Sequence, residues 1–354
     1  MYKNSHLSIQ TTFRKNIDFH FWVPLLTHYR FDEKEIVLDV ERMFQHTQQI
    51  LPHTNLWMLG GTTGDGWALT DKLFNEVLDL MYEKRFQDLG ARCLIGALRP
   101  TTEAVLERID LIKTHFGCGE RASCVENAAF LERAGVVGVT VCPPIGAGQS
   151  QQQIFDHFYT ICQKAAVPIV IYQLPQVTHN QIEPETAQRL VETCPEVVMI
   201  KDSSGADTLA HSCLFRDSVL LLRGAEGDYT EVLKLNGGDY DGWLLSTGNS
   251  FSRQLKTIIG MSQRNEQEAA RTESDQLSRA VWAIFSIVRE WSSENLFSNA
   301  NKAIDHLMAY GKHWKMFDRP CLIDHSSLPD SIFEKIEHVL ASVGWLPEKG
   351  YLSG

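Results

Sequence analysis

The sequence predicts an α/β fold, a (β/α)8 TIM barrel with a C-terminal helical extension. Three observations predict it. Eight short apolar runs rich in β-formers recur over the first 250 residues, and segments of helical period with charged faces lie between them. After residue 250 the strand signal stops and an amphipathic helical pattern takes over. The expected division is 1–250 for the barrel and 251–354 for the helical extension packed on it.

The runs are FHFWVPLL (19–26), LWMLGG (56–61), CLIGAL (93–98), VVGVTVC (136–142), PIVIY (168–172), VVMIK (197–201), VLLLR (219–223) and DGWLLS (241–246). They are near-continuous rather than alternating, as strands buried on both faces should be. Between them EIVLDVERMFQHTQQIL, KLFNEVLDLMYEKRF, TEAVLERIDLIKTHF, QQQIFDHFYTICQKA and ETAQRLVETC read as helices, and parallel strands need such crossovers. Eight units in this length fit a barrel. A doubly wound open sheet uses the same units, and strand counting alone does not separate the two. FGCGERASCVENAAF (116–130) lengthens the third crossover and predicts a surface insertion there. Beyond residue 250, the stretch from Ser252 to Trp291, SNANKAIDHLMAYG and SIFEKIEHVLASVG read as three or more helices, the last after a Ser-Ser-Leu-Pro-Asp start.

With 354 residues and 44% apolar content the chain can bury a large core. A formal net charge of -11 argues against a nucleic-acid surface, which needs clustered Lys and Arg, and against an anionic membrane. The eight cysteines are scattered through a chain too large to need stapling, so they read as reduced thiols and the expected location is the cytoplasm. Cys118 and Cys124 are the closest pair, but no second pair or histidine cluster accompanies them. The N-terminal MYKNSHLSIQTTFRKN has no apolar secretion core, and 19–26 is too short to span a bilayer.

In a parallel barrel the active site forms at the C-terminal ends of the strands. There the second run ends in GGTTGDG (60–66), the fifth in YQLPQVTH (172–179), the sixth in KDSSG (201–205) and the seventh in RGAEGD (223–228). Lys201 follows four apolar residues. Pointing into the barrel, its ammonium would be disfavoured and a neutral amine left, the nucleophile of Schiff-base catalysis. By strand position alone the surface end of a strand is the favoured reading, because lysines are mostly exposed. Tyr172 ends the preceding run, about 5 Å across the ladder, where a phenol could shuttle protons for an imine-forming amine. The Gly-rich turn exposes backbone N–H groups and adds the Thr62 and Thr63 hydroxyls, which suits a carboxylate. It has neither Walker nor dinucleotide spacing.

With these three elements in order, the sequence resembles the N-acetylneuraminate lyase and dihydrodipicolinate synthase family of class I pyruvate-dependent aldolases. GTTGD (61–65), YQLP (172–175) and IKDSSG (200–205) carry the resemblance, supported by DGWLLSTGN (241–249) and NKAIDHLMAYG (301–311). It implies that Lys201 forms the imine with a 2-keto acid, that Tyr172 transfers protons, and that Thr62 and Thr63 hold the substrate carboxylate and help position the tyrosine. It also implies a (β/α)8 barrel, no metal or organic cofactor, a small-molecule 2-keto acid as partner, and a homo-oligomer, tetramer or dimer.

The departures narrow the substrate. Val177 stands where the dihydrodipicolinate branch resembled here has an arginine, Pro144 and Ile145 stand where two tyrosines are common, and Tyr229 and Thr230 align with the acidic pair of sialic acid lyases. Both branches are therefore disfavoured. Ser203, Asp228, Ser246, Thr178 and His179 remain as polar contacts for a sugar-acid-like substrate, each of which could equally be structural, and Asp202 reads as a strand-end carboxylate. The expected activity is aldol cleavage or condensation of a 2-keto-3-deoxy sugar acid with pyruvate as keto product. The alternatives are a dehydratase on a keto-deoxy sugar acid, a 4-hydroxy-tetrahydrodipicolinate synthase-like condensation, and a non-catalytic binding homologue.

Overall fold

The computed structural model describes residue 13 and residues 17–33, 35–119, 121–214, 218–291 and 295–353. Most of the N-terminal stretch read above as lacking a secretion signal lies outside the described residues. No described helix is long and apolar enough to cross a membrane.

Ten strands are described: β1 His20–Pro24, β2 Tyr29–Asp32, β3 Glu35–Leu38, β4 Leu56–Leu59, β5 Arg92–Gly96, β6 Val136–Val141, β7 Ile169–Gln173, β8 Val197–Asp202, β9 Leu220–Arg223 and β10 Gly242–Leu244. Eight of them close a barrel in the order β1-β10-β9-β8-β7-β6-β5-β4, every pairing parallel. Closure excludes the open-sheet alternative. Each of the eight apolar runs supplies one barrel strand, buried on both faces because helices cover the outside.

The lumen is filled by Trp22, Leu56, Met58, Leu94, Val170, Met199, Leu222 and Leu244. Ile171 and Ile200 face the surrounding helices instead. A register shift opposite Ile169 and Val170 leaves Val198 as an extra residue on β8, with Ile169 paired to Val197 and Val170 to Met199. That bulge decides which residues of VVMIKD point inward, and it puts Lys201 on the lumen side with Met199.

The sequence reading took 35–51 as one helix, and the structure corrects this. Glu35–Leu38 is a strand that pairs antiparallel with Tyr29–Asp32, and the helix α1 covers only Val40–Ile50. Asp39 is the cause, since its carboxylate accepts the Arg42 N–H and starts the helix there. The later long helices are α2 Asp71–Asp79, α3 Thr102–His115, α4 Cys124–Arg133, α5 Gln151–Ala165 and α6 Pro184–Thr193. The third crossover is long because it carries two helices, α3 and α4, the second opened by a reciprocal Ser123 and Glu126 cap. The C-terminal part adds α7 Gly248–Gln263, α8 Gln267–Trp291, α9 Leu296–Tyr310 and α10 Asp330–Ser342. Asn265, at φ 61°, breaks the chain between α7 and α8. All eight cysteines are free.

Candidate active site

Lys201 and Tyr172 are register partners on β8 and β7, both at the C-terminal ends of their strands. The Lys201 Nζ lies 3.9 Å from the centroid of the Tyr172 ring, and the two residues are each 3% exposed. Burial lowers the Lys201 ammonium from its ordinary 10.5 to about 7, opposed by the nearby Cys142 and Glu226. Burial pushes the Tyr172 phenol up, Cys142 adds to the rise, and the hydroxyls of Thr62 and Ser203 oppose it. The pair therefore joins an amine that sheds its proton near neutrality to a phenol that keeps its own.

Room for the lysine comes from Gly224, just after β9. A Cβ there would lie 2.1 Å from the Ser203 Oγ and 2.6 Å from the Lys201 Cε. Only a residue without a side chain allows that approach. Cys142, the first residue after β6, completes a small cluster with Leu98, Tyr172 and Leu174, against which Trp67 and Val177 pack. Burial raises its thiol far above neutrality, so it is an apolar wall rather than a nucleophile.

The GGTTGDG turn follows β4. Gly64 and Gly66 both donate to the Gly61 carbonyl, at 3.0 and 2.9 Å, and Asp65 donates to Thr62 at 3.1 Å. Gly66 packs so tightly that an added Cβ would sit 1.8 Å from the Gly60 oxygen. Thr62 and Thr63 are buried in this turn, and the Thr62 Oγ1 accepts the Trp67 indole N–H at 3.2 Å. That leaves the Thr62 proton free to donate toward Tyr172 or a ligand.

The remaining polar candidates divide. Ser203 is buried beside the lysine chain, with its hydroxyl near enough to the Tyr172 phenol to favour the phenolate. Ser246 is buried and donates to Glu226 at 2.6 Å. Asp228 is not brought to the site: its side chain is 64% exposed and lies 3.9 Å from Arg223. The Thr178 hydroxyl is spent on the Leu174 and Asn180 carbonyls, and His179 is exposed. The Asp202 carboxylate is buried away from the lumen, accepting Ser204 N–H at 2.9 Å and the Tyr240 hydroxyl at 3.3 Å.

Glu226 is the acid that sequence reasoning missed. Its Oε1 accepts from Ser246 Oγ and Thr247 N at 2.6 and 3.1 Å, and its Oε2 from Thr247 Oγ1 and Tyr229 OH at 2.6 and 3.1 Å. Four donors hold a carboxylate close enough to Lys201 to raise its basicity. The available signal is its place two residues past the Gly224 that clears the lysine, but Asp228, exposed in the same loop, is the more conspicuous acid.

Among the described residues, one group has the composition of a metal site: His28, His46 and Asp305. It does not fit an ion. The Arg42 guanidinium already sits on Asp305, which also accepts the Tyr351 hydroxyl at 2.6 Å. Asn249 donates its amide to Pro24 and Ser246, which leaves its oxygen to take His46 Nε2–H at 3.0 Å. An added dication would face the buried guanidinium at the carboxylate it needs.

The sequence profile of the dihydrodipicolinate synthetase family matches residues 95–288, more than half of the chain and inclusive of Tyr172, Lys201 and Glu226. A 4-hydroxy-tetrahydrodipicolinate synthase of Helicobacter pylori is 22% identical over 271 residues, 76% of this chain and 84% of that protein. A dihydrodipicolinate synthase structure from Bacteroides thetaiotaomicron superposes with a TM-score of 0.71 at 18% identity, over 92% of this chain and 99% of that one. A variant 2-keto-3-deoxygluconate aldolase of Sulfolobus solfataricus gives 0.67 at 15%, over 91% and 95%. With a closed eight-stranded barrel and a family match over most of its strands, the chain belongs to the dihydrodipicolinate synthetase family and is a carbon–carbon lyase of the class I aldolase type.

Proposed function

We propose that the protein cleaves or forms a 2-keto-3-deoxy sugar acid through an imine at Lys201, with pyruvate as the keto partner. The observation that carries this reading is the buried, register-paired Lys201 and Tyr172 at the mouth of the barrel. The neutral amine attacks the keto carbon, and Tyr172 relays the proton that lets the carbinolamine lose water. In the cleavage direction the C4 hydroxyl gives up its proton, the C3–C4 bond breaks, and its electron pair moves into the iminium to give an enamine. Protonation at C3 and addition of water then release pyruvate and restore the amine.

Thr62 and Thr63 with their turn N–H groups take the carboxylate. Ser203 offers a buried hydroxyl beside the lysine, and Glu226 and Ser246 add polar groups suited to a polyhydroxylated fragment. The aldolase of Sulfolobus solfataricus that shares the fold is named for a substrate of this class. A hydro-lyase acting through the same imine is the second reading, because the same groups serve both. The condensation for which the Helicobacter pylori relative is named is less favoured, since Val177 packs as an apolar residue beside Leu174.

Incubation with pyruvate and borohydride followed by mass measurement tests the core. A reduced adduct on Lys201 is expected, and its absence overturns both readings. Product analysis on a keto-deoxy sugar acid then separates them, with pyruvate plus aldehyde expected and an intact carbon skeleton assigning the hydro-lyase.

A further inference from the structure

The turn that carries Thr62 and Thr63 also carries a buried negative charge. Asp65 is 1% exposed and sits at φ 59°, two residues past Thr63. A carboxylate in that position opposes the binding of a second carboxylate to the same turn. Its own partners come from far along the chain. Lys302 Nζ donates to Asp65 Oδ2 at 2.9 Å, both side chains being 1% exposed, and Asn295 Nδ2 donates to Asp65 Oδ1 at 2.7 Å. Asn295 Nδ2 also donates to the Thr62 carbonyl at 2.7 Å, so one amide grips both ends of the turn. Tyr29 adds its hydroxyl to Asp65 Oδ2 at 3.2 Å, and its ring lies 4.4 Å from Lys302 Nζ. Asn295 and Lys302 are the cap and the second turn of α9.

We propose that Lys302 is a positioning residue for substrate recognition: it cancels the Asp65 charge and, with Asn295, fixes the turn so that Thr62 and Thr63 receive a carboxylate. The inference rests on the reading of that turn as the carboxylate subsite. In this arrangement the substrate carboxylate meets only N–H and O–H donors and the iminium forming at Lys201. The aspartate serves to hold the turn, and Lys302 removes the electrostatic consequence of having it there.

The opposing single variants make this testable. Pyruvate and its uncharged amide, pyruvamide, are trapped on the full-length protein with borohydride, and the concentration giving half-maximal adduct is measured for each. A wild type that forms no adduct with either compound overturns the imine reading itself. A wild type with equal half-saturation for both overturns the carboxylate role of the turn. With those passed, Lys302→Met leaves Asp65 uncompensated and should raise the pyruvate value about tenfold with pyruvamide unchanged. Asp65→Asn leaves Lys302 as an excess cation and should lower the pyruvate value, again with pyruvamide unchanged. The neutral pair Asp65→Asn with Lys302→Met should return to within about threefold of wild type. Where Lys302→Met does not fold, Asp65→Asn and the double variant carry the test. Equal losses for both compounds, or an Asp65→Asn variant that binds pyruvate no more tightly, would show that the pair only braces the fold.

Discussion

The amine of Lys201 stands 3.9 Å from the centre of the Tyr172 ring, on residues paired directly across two parallel strands. Apolar barrel lies beneath it and an aromatic face beside it, so burial brings the amine to about 7. The rate of imine trapping should therefore rise about tenfold per pH unit below 7 and level off above it. A rate still climbing at about pH 9 would mean an ordinary lysine.

The same shift has a stability consequence. An unfolded lysine titrates near 10.5 and the folded one near 7, so between those values the unfolded chain holds the extra proton. Stability rises with pH across that window, by up to about 1.4 kcal/mol per unit. Lys201→Met should accordingly abolish the adduct while raising the thermal midpoint at pH 7, read by calorimetry. A lowered midpoint would contradict the buried, uncompensated amine.

Tyr172→Phe keeps the ring against Lys201 and removes only the hydroxyl. Turnover should fall roughly 10²- to 10⁴-fold, with the midpoint changed by no more than about 3 °C. A loss below tenfold removes Tyr172 from the proton relay.

Gly224→Ala places a methyl group 2.1 Å from the Ser203 hydroxyl and 2.6 Å from the Lys201 Cε, so both side chains must shift. Adduct formation should drop at least tenfold, and the folded fraction by circular dichroism should stay near wild type. Unimpaired trapping would show that the lysine chain reaches the mouth by another path.

Glu226 raises the basicity of Lys201, so Glu226→Gln should move the trapping profile to lower pH. The direction is the check: a profile displaced to higher pH excludes Glu226 as the acid that acts on the amine. Glu226→Ala removes the acceptor of Ser246, Thr247 and Tyr229, and denaturant titration should show a loss of about 1–3 kcal/mol.

The barrel was legible because continuous apolar runs and charged-face helices are set by burial on both faces, a property of local composition. Lys201, Tyr172 and the Thr62–Thr63 turn were legible for a related reason, since strand ends in a parallel barrel converge. What was not legible depends on long-range geometry. The hairpin at Tyr29–Leu38 looked helical because Ile36, Val37 and Leu38 continue the apolar pattern of α1, and only the Asp39 cap separates them. Glu226 lost to Asp228 because both lie in one loop, and their opposite directions follow from the left-handed turn at Gly227 and Asp228. The Val198 bulge, which decides the face of Lys201, leaves no trace in an apolar run.

Lys302 and Asp65 are 237 residues apart in the chain and touch only when α9 is in place. All eight barrel strands are complete by Leu244, well before that helix is made. The clamp on the turn is thus supplied by a segment that follows every barrel strand in the chain. On the reading proposed above, a chain truncated before α9 would keep the imine-forming pair and lack the brace of the carboxylate turn.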